Sequence, residues 1–430
     1  MNGTLILLHA PKREPASERF MKDSIDLKLT GIAHGGEAFG KYENKIIFVA
    51  YALPGERVRV QVTSDHKRWA RARLLQVLEP SPHRQMPACP YFGPDGCGGC
   101  QWQHIQHEAQ LDYKARILRD QLQRLGGLKN PSVHHTRSGS EAWAYRTRMV
   151  FYSSGQGSLG LRKANAREIM PLASCPILHP RLETLHQDFN AEWDGLRSVD
   201  LSVSLDTGEK MVVLRTRRDE APVIEVDFPV SIVLKTRNGD LLPLMGDPFY
   251  FETIAGHTYR FSPDARRPDN IPAAEALIDV VRAYLKPSPG QVLMDVYSGH
   301  GLLTLGLAGH VSMVIGIEEN AYAMDDCAFS CSHLDNVILH EGPPARVLRK
   351  LQDPINLAVV TPPDEGLGHR IAPNLARLGA RRLVYVAHNP ATLARDIAQL
   401  QSANYRFVEA TAIDTAPQTH TFTTVALFTR

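Results

Sequence analysis

Apolar residues recur at two different periods along this chain, and the change of period divides it. From Ile25 to Val77 they come in short alternating runs, Leu27 to Leu29, Ile46 to Val49, Val58 to Val62 and Ala72 to Val77, broken by Gly31, Gly35, Gly36, Gly40 and Pro54-Gly55. Four or five short strands with glycine-rich turns describe a small OB-like β-barrel. Pro80 to Cys100 has no period and is rich in Pro, Gly and Cys, which predicts a loop held by something other than apolar packing. Leu111, Ile117, Leu118, Leu122 and Leu125 then form a helical stripe within Gln106 to Leu125. Tyr145 to Tyr259 reads mostly as strands, among them Met149 to Tyr152, Val212 to Arg215 and Val230 to Leu234.

After Asn270 helices and strands alternate. A helix near Ala273 to Leu285 precedes apolar runs at Val292 to Val296, Met313 to Glu318, Leu357 to Val360, Leu383 to Val386 and Val425 to Phe428, with helical stretches at Met324 to Leu334 and Ala391 to Gln401. Strands separated by helices predict a doubly wound, mostly parallel, Rossmann-like sheet. The fold class expected is therefore α/β and β multidomain: a small N-terminal β-barrel, a cysteine loop with a mixed α+β central domain, and the C-terminal doubly wound sheet. The boundaries fall at 23–80, 81–270 and 271–430, in keeping with the two to four domains that 430 residues suggest.

Composition changes this picture little. The apolar runs Leu302 to Ala308 and Val311 to Ile317 are broken well before the ~20 residues of a membrane helix. Met1 to Phe20 turns charged at Lys12, Arg13 and Glu14, unlike a secretory signal. A cytoplasmic address, no membrane contact and a monomer are expected. The net charge of +2 hides one asymmetry, because Arg57 to Arg84 holds seven Lys or Arg against Asp65 and Glu79. Arg68, Trp69, Arg71 and Arg73 would offer this segment's basic and aromatic groups to single-stranded nucleic acid.

Six cysteines in such a chain do not suggest a disulfide scaffold. Cys89, Cys97 and Cys100 fall within CPYFGPDGCGGC, where Gly98 and Gly99 allow the backbone to wrap closely, and Cys175 in SCPILHP is the natural fourth ligand. Four thiolates suit a tetrahedral zinc or a cubane iron–sulfur cluster, and spacing does not separate them. Cys327 and Cys331 are a separate pair at i, i+4, expected as core or surface thiols. A second motif, Met294-Asp295-Val296-Tyr297-Ser298-Gly299-His300-Gly301, opens a strand into Gly-x-Gly and a helical run. The next strand ends in Glu318, whose carboxylate could accept two ribose hydroxyls, so a nucleoside-bearing cofactor is expected.

The order of the basic barrel, CGGCQWQH, WAYR, SCP, YSGHG, GIE, TPP and NPATLARD resembles the RNA (uracil-5)-methyltransferases from about Asp23 to Phe428. That resemblance implies a TRAM domain as the barrel, a [4Fe–4S] cluster on Cys89, Cys97, Cys100 and Cys175, and S-adenosyl-L-methionine (SAM) held by Asp295, Tyr297, Gly299, Gly301 and Glu318. It also implies an RNA partner, rRNA or tRNA. An acidic residue that commonly follows the next strand is replaced by Gly342-Pro343-Pro344.

The catalytic positions depart further. Methylating uracil C5 requires a nucleophile to add at C6 and a base to remove the C5 proton. The family's cysteine before Asn-Pro-Ala-Thr is His388 here, and the C-terminal glutamate is Thr423. The uracil-contacting glutamine becomes Pro268, and the Asp-Pro-Pro-Arg block begins at Thr361. These changes predict an RNA-binding pseudoenzyme that has lost C5 methylation. The alternatives are an active SAM-dependent RNA methyltransferase using altered residues and, behind it, a zinc- or cluster-based redox sensor.

Overall fold

The computed structural model describes residues 24–430, apart from 155–156, 165, 190–192, 194 and 218–220. It divides into two compact units, residues 1–84 and 85–430.

The first unit is a six-stranded sheet of β1 (Ser24–Lys28), β2 (Gly31–Ile32), β3 (Ala38–Tyr42), β4 (Lys45–Val49), β5 (Arg57–Asp65) and β6 (Trp69–Glu79). The strand order is β1-β5-β6-β4-β3-β2. The two edge strands are one stretch of chain interrupted only by Leu29 and Thr30, so the end of one edge lies beside the start of the other. The Thr30 N–H donates to the Phe39 carbonyl at that seam (2.8 Å). Alternation decides what goes inside: Val58, Val60, Val62, Ala70 and Ala72 are buried while Arg57, Arg71 and Arg73 face out. Expecting four or five strands undercounts because β2 has only two residues.

In the second unit α1 (His107–Arg124) ends before Leu125, which is about half exposed, as Gly127 turns the chain at φ 66°. Then follow β7 (Arg137–Ser138), β8 (Arg148–Ser153), β9 (Leu159–Arg162), β10 (Ile169–Pro171), α2 (Pro180–Asp188), β11 (Leu196–Val203), β12 (Lys210–Thr216), β13 (Ser231–Lys235) and β14 (Leu241–Met245). Strands β8 to β14 form a seven-stranded sheet in the order β10-β9-β8-β11-β12-β13-β14. A hairpin of β15 (Tyr250–Ile254) and β16 (His257–Phe261) leads to α3 (Ile271–Leu285), capped by the Asn270 side chain.

The remaining elements are β17 (Val292–Val296), α4 (Leu302–Ala308), β18 (Met313–Glu318), α5 (Ala321–Ser330), β19 (Val337–Glu341), α6 (Pro344–Lys350), β20 (Leu357–Val360), α7 (Ile371–Leu378), β21 (Arg382–Ala387), α8 (Pro390–Ser402), β22 (Arg406–Asp414) and β23 (Thr423–Thr429). Their sheet order is β19-β18-β17-β20-β21-β23-β22-β7. Strands β17 to β21 are mutually parallel, and β23 runs antiparallel between β21 and β22. The expected helix from Met324 to Leu334 stops at Ser330, where the Cys331 N–H bonds back to the Cys327 carbonyl. Apolar periodicity missed β19, a half-exposed edge strand, and β22, whose outer half is polar.

Chain order turns back between β17 and β20, so a crevice is expected outside their carboxyl ends. Asp295, Thr361 and His388 all lie at that edge of the sheet. Among the described residues no helix is long and apolar enough to cross a membrane.

Candidate functional site

At the end of β17 the chain reverses through three left-handed residues, Tyr297 (φ 64°), Gly299 (φ 57°) and Gly301 (φ 88°). Gly301 has a second reason to be glycine, since a Cβ there would lie 2.6 Å from Cys327 Sγ. Cys327 and Cys331 are thus buried core thiols beneath the turn, and not surface groups. Contact with the Cys331 thiol, together with burial, pushes the Cys327 thiol up.

Glu318 holds the turn from the next strand. Its Oε2 accepts from the Gly299 N–H (2.8 Å), and its Oε1 accepts from the N–H groups of Glu319 (2.9 Å) and Asn320 (2.8 Å). Asp295 Oδ2 accepts from the Thr304 hydroxyl (2.7 Å), whereas Oδ1 is buried without a partner. Ser298 Oγ and His300 Nε2 are likewise buried and unpartnered at this turn. His300 Nδ1 meets the Arg266 carbonyl (2.8 Å), and burial pulls the imidazole down to about 4. Three buried polar atoms at this one turn thus have no protein partner. Gly342-Pro343-Pro344 follows β19, but Glu341 stands just before it, paired in register with Glu318.

Burial pushes the Asp295 carboxyl up to about 7, opposed by its bond from Thr304. A folded-state value above the unfolded value near 4 means that this group's stabilisation is complete below about pH 4 and is lost as pH rises through about 7. The ligand-free chain should therefore lose a few kcal/mol between those limits, relative to Asp295→Asn, which should lack that slope. Denaturant unfolding as a function of pH checks this; parallel profiles would contradict it.

The sequence-derived acceptor positions converge on the neighbouring strand ends. His388 follows β21 and Thr423 opens β23, which pairs with it; His388 Nδ1 lies 3.2 Å from Thr423 Oγ1. Thr423 Oγ1 lies in turn 3.3 Å from Thr415 Oγ1. Burial pulls His388 down to about 4, assisted by Arg266 and opposed by Asp364 and Asp269. The imidazole is therefore neutral at physiological pH. Pro268 sits between two anchored residues: Arg267, buried and donating to Ser202 Oγ (2.8 Å) and the Ser262 carbonyl (2.9 Å), and Asp269, paired with Arg146.

Thr361 begins a loop pinned from three sides. The Thr392 hydroxyl donates to the Asp364 carbonyl (3.0 Å), the Tyr297 hydroxyl donates to the Leu367 carbonyl (3.1 Å), and Asp396 accepts from the Leu367 N–H (2.6 Å) and the Tyr385 hydroxyl (2.6 Å).

Cys89, Cys97, Cys100 and Cys175 line one pocket with Tyr91, Phe92, Leu161 and Ile177. Burial pushes Cys100 up to about 11 and Cys175 to about 12, and the thiols raise one another. The Gly99 N–H points at Cys97 Sγ (3.3 Å). Among the described residues no three His, Cys, Asp or Glu side chains are gathered tightly enough for a single metal ion.

This pocket is tied to the acceptor edge. The N–H groups of Gln101 (3.1 Å) and Trp102 (2.9 Å) both donate to the Gln418 carbonyl, and the Tyr145 hydroxyl donates to the Pro417 carbonyl (3.0 Å). Gln418, itself left-handed at φ 68°, exchanges hydrogen bonds with the buried Gln110 amide in both directions. Sequence reasoning missed Gln110, Gln418, Thr304, Arg266 and the buried Lys114–Asp414 pair. Only Thr304 carried a signal, as the polar residue one turn into a helix that follows Gly-x-Gly.

In the first unit Arg68, Arg71 and Arg73 are exposed. Trp69 is half-buried, stacked on His66 (3.9 Å) and overlain by the Arg71 guanidinium (5.4 Å), which also pairs with Glu37 (3.1 Å).

Residues 23–75 match the family model described as a TRAM domain. The chain is 32% identical to an uncharacterized RNA methyltransferase of Streptomyces avermitilis, over 95% of this chain and 98% of that one. It is 27% identical to a 23S rRNA (uracil(1939)-C(5))-methyltransferase of Shewanella amazonensis, over 97% and 98%. The crystal structure of Pyrococcus abyssi tRNA (uracil-54, C5)-methyltransferase with S-adenosyl-L-homocysteine shares the fold, with a TM-score of 0.71 at 23% identity over 94% of this chain and 100% of that one.

Proposed function

The chain belongs to the RNA (uracil-5)-methyltransferase family, and from that premise we propose that it binds SAM and structured RNA, rRNA or tRNA, while the covalent route to uracil C5 is closed. One observation carries this: His388 and Thr423, standing where a thiolate and a carboxylate are required, hydrogen-bond to each other. An imidazole does not serve as both attacking and leaving group at C6, and a threonine hydroxyl does not remove the C5 proton. Incubation with 5-fluorouridine-substituted rRNA and tRNA should give no covalent protein–RNA species. A trapped adduct would overturn the proposal.

SAM would be held by Asp295, Tyr297, Gly299, Gly301 and Glu318. The orphaned Asp295 Oδ1 supports this, because it is an acceptor waiting for a donor at the glycine turn. RNA would lie along Arg68, Trp69, Arg71 and Arg73. We assign residues 23–80 to RNA binding, 81–270 to the cluster and RNA, and 271–430 to the cofactor, in a monomer. The retained cofactor turn also favours a second reading, an active RNA methyltransferase that transfers by direct attack.

Cys89, Cys97, Cys100 and Cys175 would hold a [4Fe–4S] cluster, which when bound supplies a cross-link between the 89–100 loop and Cys175. Protein purified without oxygen should carry about four iron atoms per chain, and Cys175→Ser should lose most of them. Stoichiometric zinc in place of iron would contradict the assignment.

A further inference from the structure

The ends of β20, β21 and β23 present a cluster whose unpartnered groups are mainly acceptors. His388 Nε2 has no partner among the described residues, and it is an acceptor in the tautomer whose Nδ1–H donates to Thr423 Oγ1. The carboxylate of Asp364 likewise has no side-chain partner among them, and its backbone carbonyl is fixed to Thr392. Thr392 lies in the first turn of α8, and His388 immediately precedes that helix's cap Asn389, so the Asp364 loop and His388 are held over one helix end. The other groups facing His388 are Arg266, an exposed cation, and Asp269, whose carboxylate is taken by Arg146.

We propose that the methyl acceptor at this edge is an exocyclic amino nitrogen of an RNA base, with His388 Nε2 and the Asp364 carboxylate receiving its two N–H bonds. This rests on the reading that the chain binds RNA and SAM. An aromatic amino group offers two donors, which match two acceptors. Uracil would turn its 4-carbonyl oxygen toward a carboxylate, an arrangement of two acceptors that is repelled. Arg266 remains for the phosphate backbone.

The step needs no covalent adduct. The amino lone pair attacks the methyl carbon of the sulfonium as the carbon–sulfur bond breaks, and that electron pair stays on sulfur to give S-adenosylhomocysteine. The methylated nitrogen, now cationic and strongly acidic, releases a proton to the Asp364 carboxylate and thence to water. A weak base suffices because alkylation itself acidifies the nitrogen.

The test uses the full chain, SAM carrying a labelled methyl group, and rRNA and tRNA from a strain lacking this protein, with the modified nucleosides identified by mass spectrometry. Label is expected on an amino group of adenosine, cytidine or guanosine. His388→Ala and Asp364→Asn should each reduce it by tenfold or more, with SAM affinity by calorimetry and RNA affinity by filter binding changed less than twofold. Unchanged binding also shows that the variants fold. Label on a ribose hydroxyl, or no label despite measured binding of SAM and RNA, overturns the inference alone, whereas label in 5-methyluridine overturns it together with the closed route to uracil C5. Failure of the wild-type chain to bind either one overturns the underlying reading.

Discussion

Replacing Lys114 by methionine should lower the unfolding free energy by about 3–5 kcal/mol, the usual effect of stranding one partner of a buried ion pair. Lys114 and Asp414 are both fully buried. The ammonium donates to Asp414 Oδ1 (2.6 Å) and to the Ala416 carbonyl (3.3 Å), while His107 Nε2 meets the other carboxylate oxygen (3.1 Å). Burial pulls the Lys114 ammonium down against the pull of Asp414. Burial also pushes the Asp414 carboxyl up, but Lys114 and His107 together hold it below its usual range. The carboxylate is the better satisfied partner, so the lysine variant leaves a charge with one weak donor.

The pH dependence follows. A depressed folded-state value means that Asp414 contributes stability above its unfolded value of about 3.9, and this is lost as pH falls through the lower folded value. In Lys114→Met the folded value rises, so acid unfolding should begin at higher pH than in the wild type. Equal midpoints in denaturant, or unchanged acid midpoints, would show that the pair contributes nothing.

Gln110→Leu is expected to cost roughly 2–4 kcal/mol and to loosen residues 416–420 selectively. The Gln110 side chain is fully buried. Its Nε2 serves the Trp102 (3.2 Å) and Ile105 (3.0 Å) carbonyls and Gln418 Oε1 (3.1 Å), and its Oε1 accepts from the Gln418 N–H (3.0 Å). Leucine has similar volume, so the loss comes from buried partners left without hydrogen bonds, about 1–3 kcal/mol each and not additive. Hydrogen exchange should quicken at 416–420 while β17 to β21 keep their protection. Because Thr415 and Thr423 flank this loop, the His388 contact should weaken as well. Uniformly faster exchange across the sheet would point instead to global destabilisation.

Short-range order was legible from the residues themselves. Alternation in Arg57 to Val77 was enough to place Arg71 and Arg73 outside and Ala70 and Ala72 inside, because strand geometry sends neighbours to opposite faces. The Gly-x-Gly turn and Glu318 were legible for a similar reason. A left-handed turn favours glycine, and the acidic strand end some twenty residues later was expected to meet ribose hydroxyls; in the structure its carboxylate accepts from the Gly299 N–H. Residue type and spacing grouped the four cysteines, and they line one pocket.

What stayed hidden was set by approach in space. Lys114 and Asp414 stand 300 positions apart, and Gln110 and Gln418 308, so no local pattern links them. Each reads alone as an ordinary polar residue, and only burial makes its partner obligatory. The same holds for His388: the resemblance set its place before Asn389-Pro390 against the family's cysteine, but its neutrality and its bond to Thr423 arise from packing. Local chemistry is written along the chain because it depends on backbone period and residue type. The electrostatics of the acceptor edge depend on which distant groups share a dry volume, and folding alone brings those groups together.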